Sequence, residues 1–307
     1  MRACPPRSLL RWLCLGACLA AGLGGPLAAR TQATADAPCT PSVRWVEYAP
    51  YGVRGDGGEK TGYYADVVSE ALRRMGCAPR FVQIPWARAL KELAAGRLDV
   101  VAGALKTPER EAFVWFSTPI NLSPNLLFLQ SRVAQRYPLA RLADLRSTSL
   151  RIGTEPGAHY GAEYAALLDD PDFVARLHVV PDRPRAWRML NADRLDGVIA
   201  DQATAIVSGT ELPRLGDRLV PVLVLSAEPA HVMLSRRSID AGFVARFDAA
   251  LATMRADGTL ERLRERWIPC DTDPGTLGCR IGSPVPLPEL MGLPPASREP
   301  AISPPLR

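Results

Sequence analysis

Two side chains of opposite charge stand just past short apolar runs. Arg110 follows the run at residues 98–104, and Asp201 follows the run at 195–200. A guanidinium held in place grips a carboxylate through two parallel hydrogen bonds, and a carboxylate takes an ammonium. Together they match the two charges of a free α-amino acid. Gly103 and Thr107 belong to the segment that carries Arg110. A further piece, Gly153-Thr154-Glu155-Pro156-Gly157-Ala158-His159, follows a strand pattern and opens a helix. Free backbone N–H groups at such a turn bind anions, which makes Gly157 and His159 candidate contacts. Tyr48 and Tyr51 follow the first strand pattern and Trp86 opens a helix pattern, so rings are at hand to cover the apolar body of a small ligand. Each feature also has a plainer use. Residues 108–111 read as a solvated helix start, Asp201 as a helix N-cap and Trp86 as core. No Gly-x-x-x-x-Gly-Lys-Ser/Thr, Gly-x-Ser-x-Gly or His-Glu-x-x-His motif occurs. No catalytic residue, cofactor or metal is therefore expected.

The elements that must carry these residues alternate. Residues 66–76 read as a helix, with Asp66 as N-cap and Gly76 as its stop, and 86–96 repeat the pattern. Strand patterns fall at 43–47, 80–84, 98–104, 150–154, 177–180 and 195–200, and helices at 239–256 and 259–267 close the body. Strands alternating with helices of about ten residues predict βαβ units and an α/β fold. Within this pattern lies an internal echo. Residues 88–101 read RALKELAAGRLDVV and residues 185–198 read RAWRMLNADRLDGV, with eight of fourteen positions identical. One helix–turn–strand piece thus occurs twice, 97 residues apart, as two lobes built alike would require. Ligands bind beyond the carboxyl ends of parallel strands, so the site is expected at 102–110 of one lobe and 200–204 of the other.

The chain has 307 residues and a net charge of +5, with 47 % hydrophobic residues, an ordinary globular composition. Thirty-four arginines against three lysines reflect base composition rather than nucleic-acid binding. Residues 1–29 have the charged, apolar and small-residue regions of a secretory signal peptide. Leu15-Gly16-Ala17-Cys18 also has the form of a lipoprotein cleavage box, but the apolar run continues past it. Removing Arg2, Arg7 and Arg11 with the signal leaves +2, too little for a basic partner-binding surface. Cys39, Cys77, Cys270 and Cys279 remain, an even number that suits disulfides in an exported chain. Three pairings are open. Cys39–Cys77 with Cys270–Cys279 is preferred, because Cys39 and Cys77 each precede a strand pattern and neighbouring parallel strands enter at one sheet edge. Nine of the 29 prolines lie in residues 271–307, which read as an extended or disordered tail.

The ordered set Tyr48-Ala-Pro-Tyr51, Gly62-Tyr-Tyr-Ala-Asp66, Pro85-Trp-Ala-Arg88, Gly96-Arg-Leu-Asp99, Thr107-Pro-Glu-Arg110 and Phe116-Ser-Thr-Pro119 resembles the bacterial periplasmic solute-binding proteins of family 3. These are the polar amino-acid receptors of ABC importers. Gly153-Thr154, Leu195-Asp196, Asp201 and Asp257-Gly-Thr-Leu260…Trp267 continue the match over roughly 40–268. The resemblance implies a two-lobed clamp of type II, with lobe I at 40–130 plus 228–268 and lobe II at 131–227. Two crossing strands, at 125–130 and 230–235, would join the lobes. It implies that Arg110 holds a ligand carboxylate, Asp201 its amino group, and Tyr48 stacks on it. It further implies a periplasmic monomer that delivers a small solute to an ABC permease. Two departures stand out. Residues 102–106, Ala-Gly-Ala-Leu-Lys, lack the hydroxyl side chains usual before the arginine, and 157–159, Gly-Ala-His, lack the usual Gly-Ser/Thr. Arg88 and Lys106 offer other donors, which points toward an anionic or modified ligand. Two other functions fit the same fold: an accessory or sensory protein, and a cyclohexadienyl-dehydratase-like enzyme with Glu155 or His159 as general acid.

Overall fold

The structure, a computed structural model, describes residues 39–122 and 124–268. The chain begins with β1 (Ser42–Trp45), a small hairpin of β2 (Val53–Arg54) and β3 (Lys60–Thr61), and α1 (Tyr63–Arg74). Then come β4 (Arg80–Gln83), α2 (Trp86–Ala94), β5 (Val100–Ala104), α3 (Pro108–Glu111), β6 (Val114–Phe116) and β7 (Asn121–Leu122). A second series runs β8 (Asn125–Gln130), α4 (Ser131–Arg136), β9 (Ile152–Thr154), α5 (Ala162–Leu167), α6 (Pro171–Val174) and β10 (Leu177–Val179). It continues with α7 (Arg183–Asn191), β11 (Gly197–Asp201), α8 (Gln202–Glu211) and β12 (Leu219–Ser226). Finally β13 (Pro229–Ser235), α9 (Ala241–Ala256) and α10 (Thr259–Trp267) return to the first part.

The strands form two main sheets, in the orders β4-β1-β5-β13-β6 and β10-β9-β11-β8-β12. In the first, β1 runs parallel to β4 and β5, while β13 is antiparallel to β5 and β6. The second repeats this, with β9 parallel to β10 and β11, and β8 antiparallel to β11 and β12. The α/β class expected from the alternation is present. The division expected at residue 130 is not: β8 pairs along its length with β11 and β12, so the chain changes sheets before Asn125. An all-apolar run flanked by polar residues marks a buried strand but not its partner.

Each sheet is covered on both faces. Val67, Val68, Leu72, Phe247, Leu251 and Met254 of α1 and α9 pack together with Val43 and Val100, while Ala89 and Leu93 of α2 join Val101 and Met233. In the second sheet Trp187 and Leu190 of α7 pack with Val198 and Phe128, and Tyr160, Tyr164 and Phe173 pack with Ile152 and Ile199. Fully burying one such large side chain stabilises the fold by about 1.5–3 kcal/mol. Helix α1 starts three residues before Asp66, because Tyr63 is also on the buried face. Asp66 is therefore not the N-cap; it accepts hydrogen bonds from Thr61 and from the indole of Trp267.

The echo is a structural repeat. Adding 97 to the bounds of α2 and β5 gives those of α7 and β11. Gly96 and its counterpart Asp193 both take positive φ, 73° and 57°, in the turn between helix and strand. Asp99 accepts from the backbone N–H and hydroxyl of Ser42, and its counterpart Asp196 from the backbone N–H and guanidinium of Arg151. In both copies a carboxylate after the helix ties down the start of the neighbouring strand.

Cys39 and Cys77 are joined, closing a separation of 38 residues where β1 and β4 begin. Cys270, Cys279, Cys18, the 1–29 segment and the 271–307 tail lie outside the described residues. A link of this span stabilises by about 2–4 kcal/mol. At about 2–4 °C per kcal/mol for a body of this size, the Cys39→Ser/Cys77→Ser variant should melt some 4–16 °C lower. Melting curves with and without reductant check this. Identical curves for both proteins would show that the bridge adds no stability.

Candidate functional site

The carboxyl ends of β5, β9 and β11 and the loop after β1 converge on one cavity of about 730 Å³ between the two sheets. From the first sheet come Arg44, Tyr48, Tyr51, Trp86 and Arg110, and from the second Glu155, Arg183 and Asp201. This is the place the echo predicts.

Arg110 is carried by α3, a single turn capped by Thr107, whose hydroxyl accepts from the Arg110 backbone N–H. That local bond turns the guanidinium inward, and the residue is only 7 % exposed. Nη1 donates to the carbonyl of Leu105 at 2.8 Å and Nη2 to that of Gly157, on the other sheet, at 3.1 Å. The indole of Trp86 donates to the same Gly157 carbonyl at 3.0 Å. Arg110 and Arg44 both lie over the Trp86 ring, at 5.6 and 5.2 Å from its centroid. Arg44 uses Nε on the carbonyl of Ile84. Burial pulls both guanidinium pKa values below their ordinary range. Burial, with Arg110 beside it, also lowers His159, so the imidazole on the cavity wall is neutral at pH 7.

Asp201 ends β11 and caps α8. Its Oδ1 accepts from the Tyr51 hydroxyl at 2.9 Å and the Thr204 backbone N–H at 3.0 Å. Its Oδ2 accepts from the Tyr48 hydroxyl at 2.8 Å, the Thr204 hydroxyl at 2.9 Å and Nη1 of Arg183. Arg183, the first residue of α7, also donates to the Tyr48 hydroxyl at 2.6 Å and places Nε 3.4 Å from Glu155. Burial opposes the Arg183 charge, but Tyr48, Asp201 and Glu155 outweigh it and raise its pKa. Burial pushes the Tyr48 hydroxyl up as well, which keeps it a donor. Tyr51 stacks on Tyr64 at 4.1 Å between centroids, and Gly103 makes room for that pair. At its φ of 83°, a Cβ on Gly103 would fall 2.2 Å from the Tyr64 ring.

The structure brings Arg110, Asp201, Tyr48, Tyr51, Trp86, Gly103 and His159 together around the cavity. Gly157 contributes its carbonyl to Arg110 and Trp86 rather than an N–H to an anion. Thr107 is a buried cap behind Arg110. Arg88 is a correction: its side chain is 72 % exposed and faces Glu92. Trp86 points into the fold, and two residues further on, about 200° around the helix, is solvent. Lys106 likewise pairs on the surface with Glu111 at 2.7 Å. The sequence reading missed Arg44 and Arg183. Arg183 was within reach, because it is the counterpart of Trp86 two residues before the matched stretch begins. Arg44 shows only as a polar residue between the buried Val43 and Trp45. Among the described residues no cluster of His, Cys, Asp or Glu could hold a metal ion, and no helix is long and apolar enough to cross a membrane.

The fold recurs in known proteins. The L-cystine-binding protein TcyJ of Escherichia coli (strain K12) is 24 % identical over 226 residues, 73 % of this chain and 80 % of that protein. An ancestral arginine-binding protein bound to arginine shares the fold with a TM-score of 0.64 and 22 % identity, covering 74 % of this chain and 97 % of that one. A histidine kinase sensor domain with similarity to periplasmic binding proteins aligns with a TM-score of 0.63 and 23 % identity, covering 75 % and 96 %. Residues 45–269 match a single family over most of the chain, and the protein belongs to the bacterial extracellular solute-binding proteins, family 3.

Proposed function

We propose that this protein is a periplasmic receptor that closes its two lobes on a small polar solute carrying a carboxylate, an amino acid or a related compound, and delivers it to an ABC importer. The observation that carries this reading is Arg110. A guanidinium 7 % exposed, on the wall of a 730 Å³ cavity, has only carbonyl partners among the described residues and so retains donors for an incoming carboxylate. The names of relatives such as the cystine-binding protein support the solute class. On this reading residues 1–29 are the export signal, the receptor acts as a monomer, and the solute leaves unchanged. Glu155, one general acid considered for an enzyme, is engaged by Arg183 instead. The likeness to a sensor domain favours a second reading, in which closure is read by a signalling partner rather than a permease.

Native mass spectrometry of the protein purified from the periplasm should show a small acid bound to it, and calorimetry with that acid should give a saturable isotherm. The Arg97→Ala variant, which alters a surface pair with Glu92, should bind it equally well. Uptake of the labelled acid should fall in cells lacking the protein. Binding without any effect on uptake would favour the signalling reading, and no saturable binding of any polar solute would overturn both.

A further inference from the structure

The charges in the cleft do not match a zwitterion. Asp201 is the group placed to take a ligand ammonium, and its own chain already fills it. A carboxylate offers about four lone-pair sites. Here four donors already occupy them, the hydroxyls of Tyr48 and Tyr51, the Thr204 N–H and Arg183, and the single proton of the Thr204 hydroxyl is shared between this carboxylate and the Asp201 carbonyl. Arg183 supplies the positive charge that an amino group would otherwise bring. The Arg183–Asp201 pair and Glu155 all lie at strand ends of the second sheet, so opening the cleft does not separate them.

The first sheet presents the opposite situation. Arg44 and Arg110 share the Trp86 indole, donate only to carbonyl oxygens, and form no ion pair among the described residues. Glu155 is the acidic group whose field reaches Arg44, and it stands against Arg183. Five guanidiniums and five carboxylates line the cavity. Arg54 pairs with Glu47 and Arg183 with Glu155 and Asp201, whereas Arg44 and Arg110, both over Trp86, form no ion pair among the described residues. An anionic group at each of Arg44 and Arg110 would supply the counter-charge that these two buried guanidiniums lack, whereas an ammonium would meet only Glu155, which already stands against Arg183.

We propose that the cleft selects a dicarboxylate, or an acid with an equivalent second anionic group, that has no free ammonium. One carboxylate is held by Arg110 and the other anionic group by Arg44, with Trp86 against the chain between them. This rests on the solute-receptor reading and narrows its ligand class. It also moves the extra anion-binding donor expected from the sequence from Arg88 and Lys106 to Arg44.

The test is calorimetry of the mature protein with succinate, glutarate and adipate, each beside its 2-amino counterpart, and with L-arginine and L-cystine. At least one amine-free diacid should bind about tenfold or more tightly than its amino counterpart. Arg44→Gln should weaken that diacid about 30-fold or more and leave the unliganded melting temperature unchanged, since Arg44 has one hydrogen-bond partner to lose. If L-arginine, L-cystine or an amino diacid binds more tightly than every amine-free diacid, the receptor reading stands and this inference is overturned. An Arg44→Gln protein that binds the diacid as tightly as wild type overturns it too. If none of these solutes binds the wild type, the inference falls together with its carboxylate-receptor premise.

Discussion

Replacing Arg110 with alanine is expected to weaken solute binding roughly 30- to 4000-fold. Lobe closure removes water from both members of the Arg110–carboxylate pair, and truncating one leaves the other charge buried and alone, which costs about 2–5 kcal/mol. At about 1.4 kcal/mol per decade this gives the stated range. Without solute the variant should melt close to wild type, because Arg110 makes no ion pair and gives up its bonds to Leu105 and Gly157 and its place over the Trp86 ring. Arg110→Lys should recover little, since an ammonium cannot reproduce the two parallel donors. Titration of the solute identified by mass spectrometry, beside a melting curve of the unliganded protein, separates the two effects. Affinity within threefold of wild type would remove Arg110 from the site.

Asp201→Ala should behave differently and lose stability even without solute. The substitution leaves Arg183, whose side chain is 17 % exposed, with Glu155 as its one remaining carboxylate, and removes the cap of α8 and the acceptor for Tyr48 and Tyr51. Breaking a buried pair from one side costs about 3–5 kcal/mol, equivalent to roughly 6–20 °C at about 2–4 °C per kcal/mol. The triple variant Asp201→Ala/Arg183→Met/Glu155→Gln should recover more of that loss than the double variant Asp201→Ala/Arg183→Met, which leaves Glu155 without its partner. The difference between the double variant and the sum of the singles measures the coupling. A single variant melting within about 2 °C of wild type would show that the pair is not what holds this end of the second sheet. The sequence offered Asp201 both as a ligand contact and as a helix N-cap, and the structure shows the cap. The structure gives it a scaffold role first.

The α/β class, the repeat and the position of the cleft were legible because each rests on periodicity or self-similarity within one stretch of chain. The Cys39–Cys77 link followed from where two strands enter a sheet, and the structure shows it. That Arg110 and Asp201 line the cavity was legible because strand ends in such a sheet face a crevice. What was not legible depends on contacts distant in sequence. Arg44 becomes a cleft residue only because Trp86, 42 positions away, offers it a ring. Arg183 matters because the chain turns it back onto Asp201. Arg88 failed for a local reason: a charged residue beside a tryptophan on a helix shares its neighbourhood in sequence but not its face. The register of β8 with β11 and β12 could not be read from its apolar run at all.

The position of β13 has a consequence for how the chain acquires this shape. It lies between β5 and β6 in the first sheet, yet it is made after every strand of the second. A chain emerging from its N-terminus therefore completes β8 through β12, a contiguous stretch with its own sheet and cores, while the first sheet still lacks an inner strand and the cover of α9 and α10. The later-numbered half can close first, and the earlier half must wait with β5 presenting an unpaired edge. The long-range pairing of β13 with β5 is then expected to be a slow, late step of folding. Ala230 of β13 also lines the cleft, so the cavity wall is complete only when this late strand has arrived.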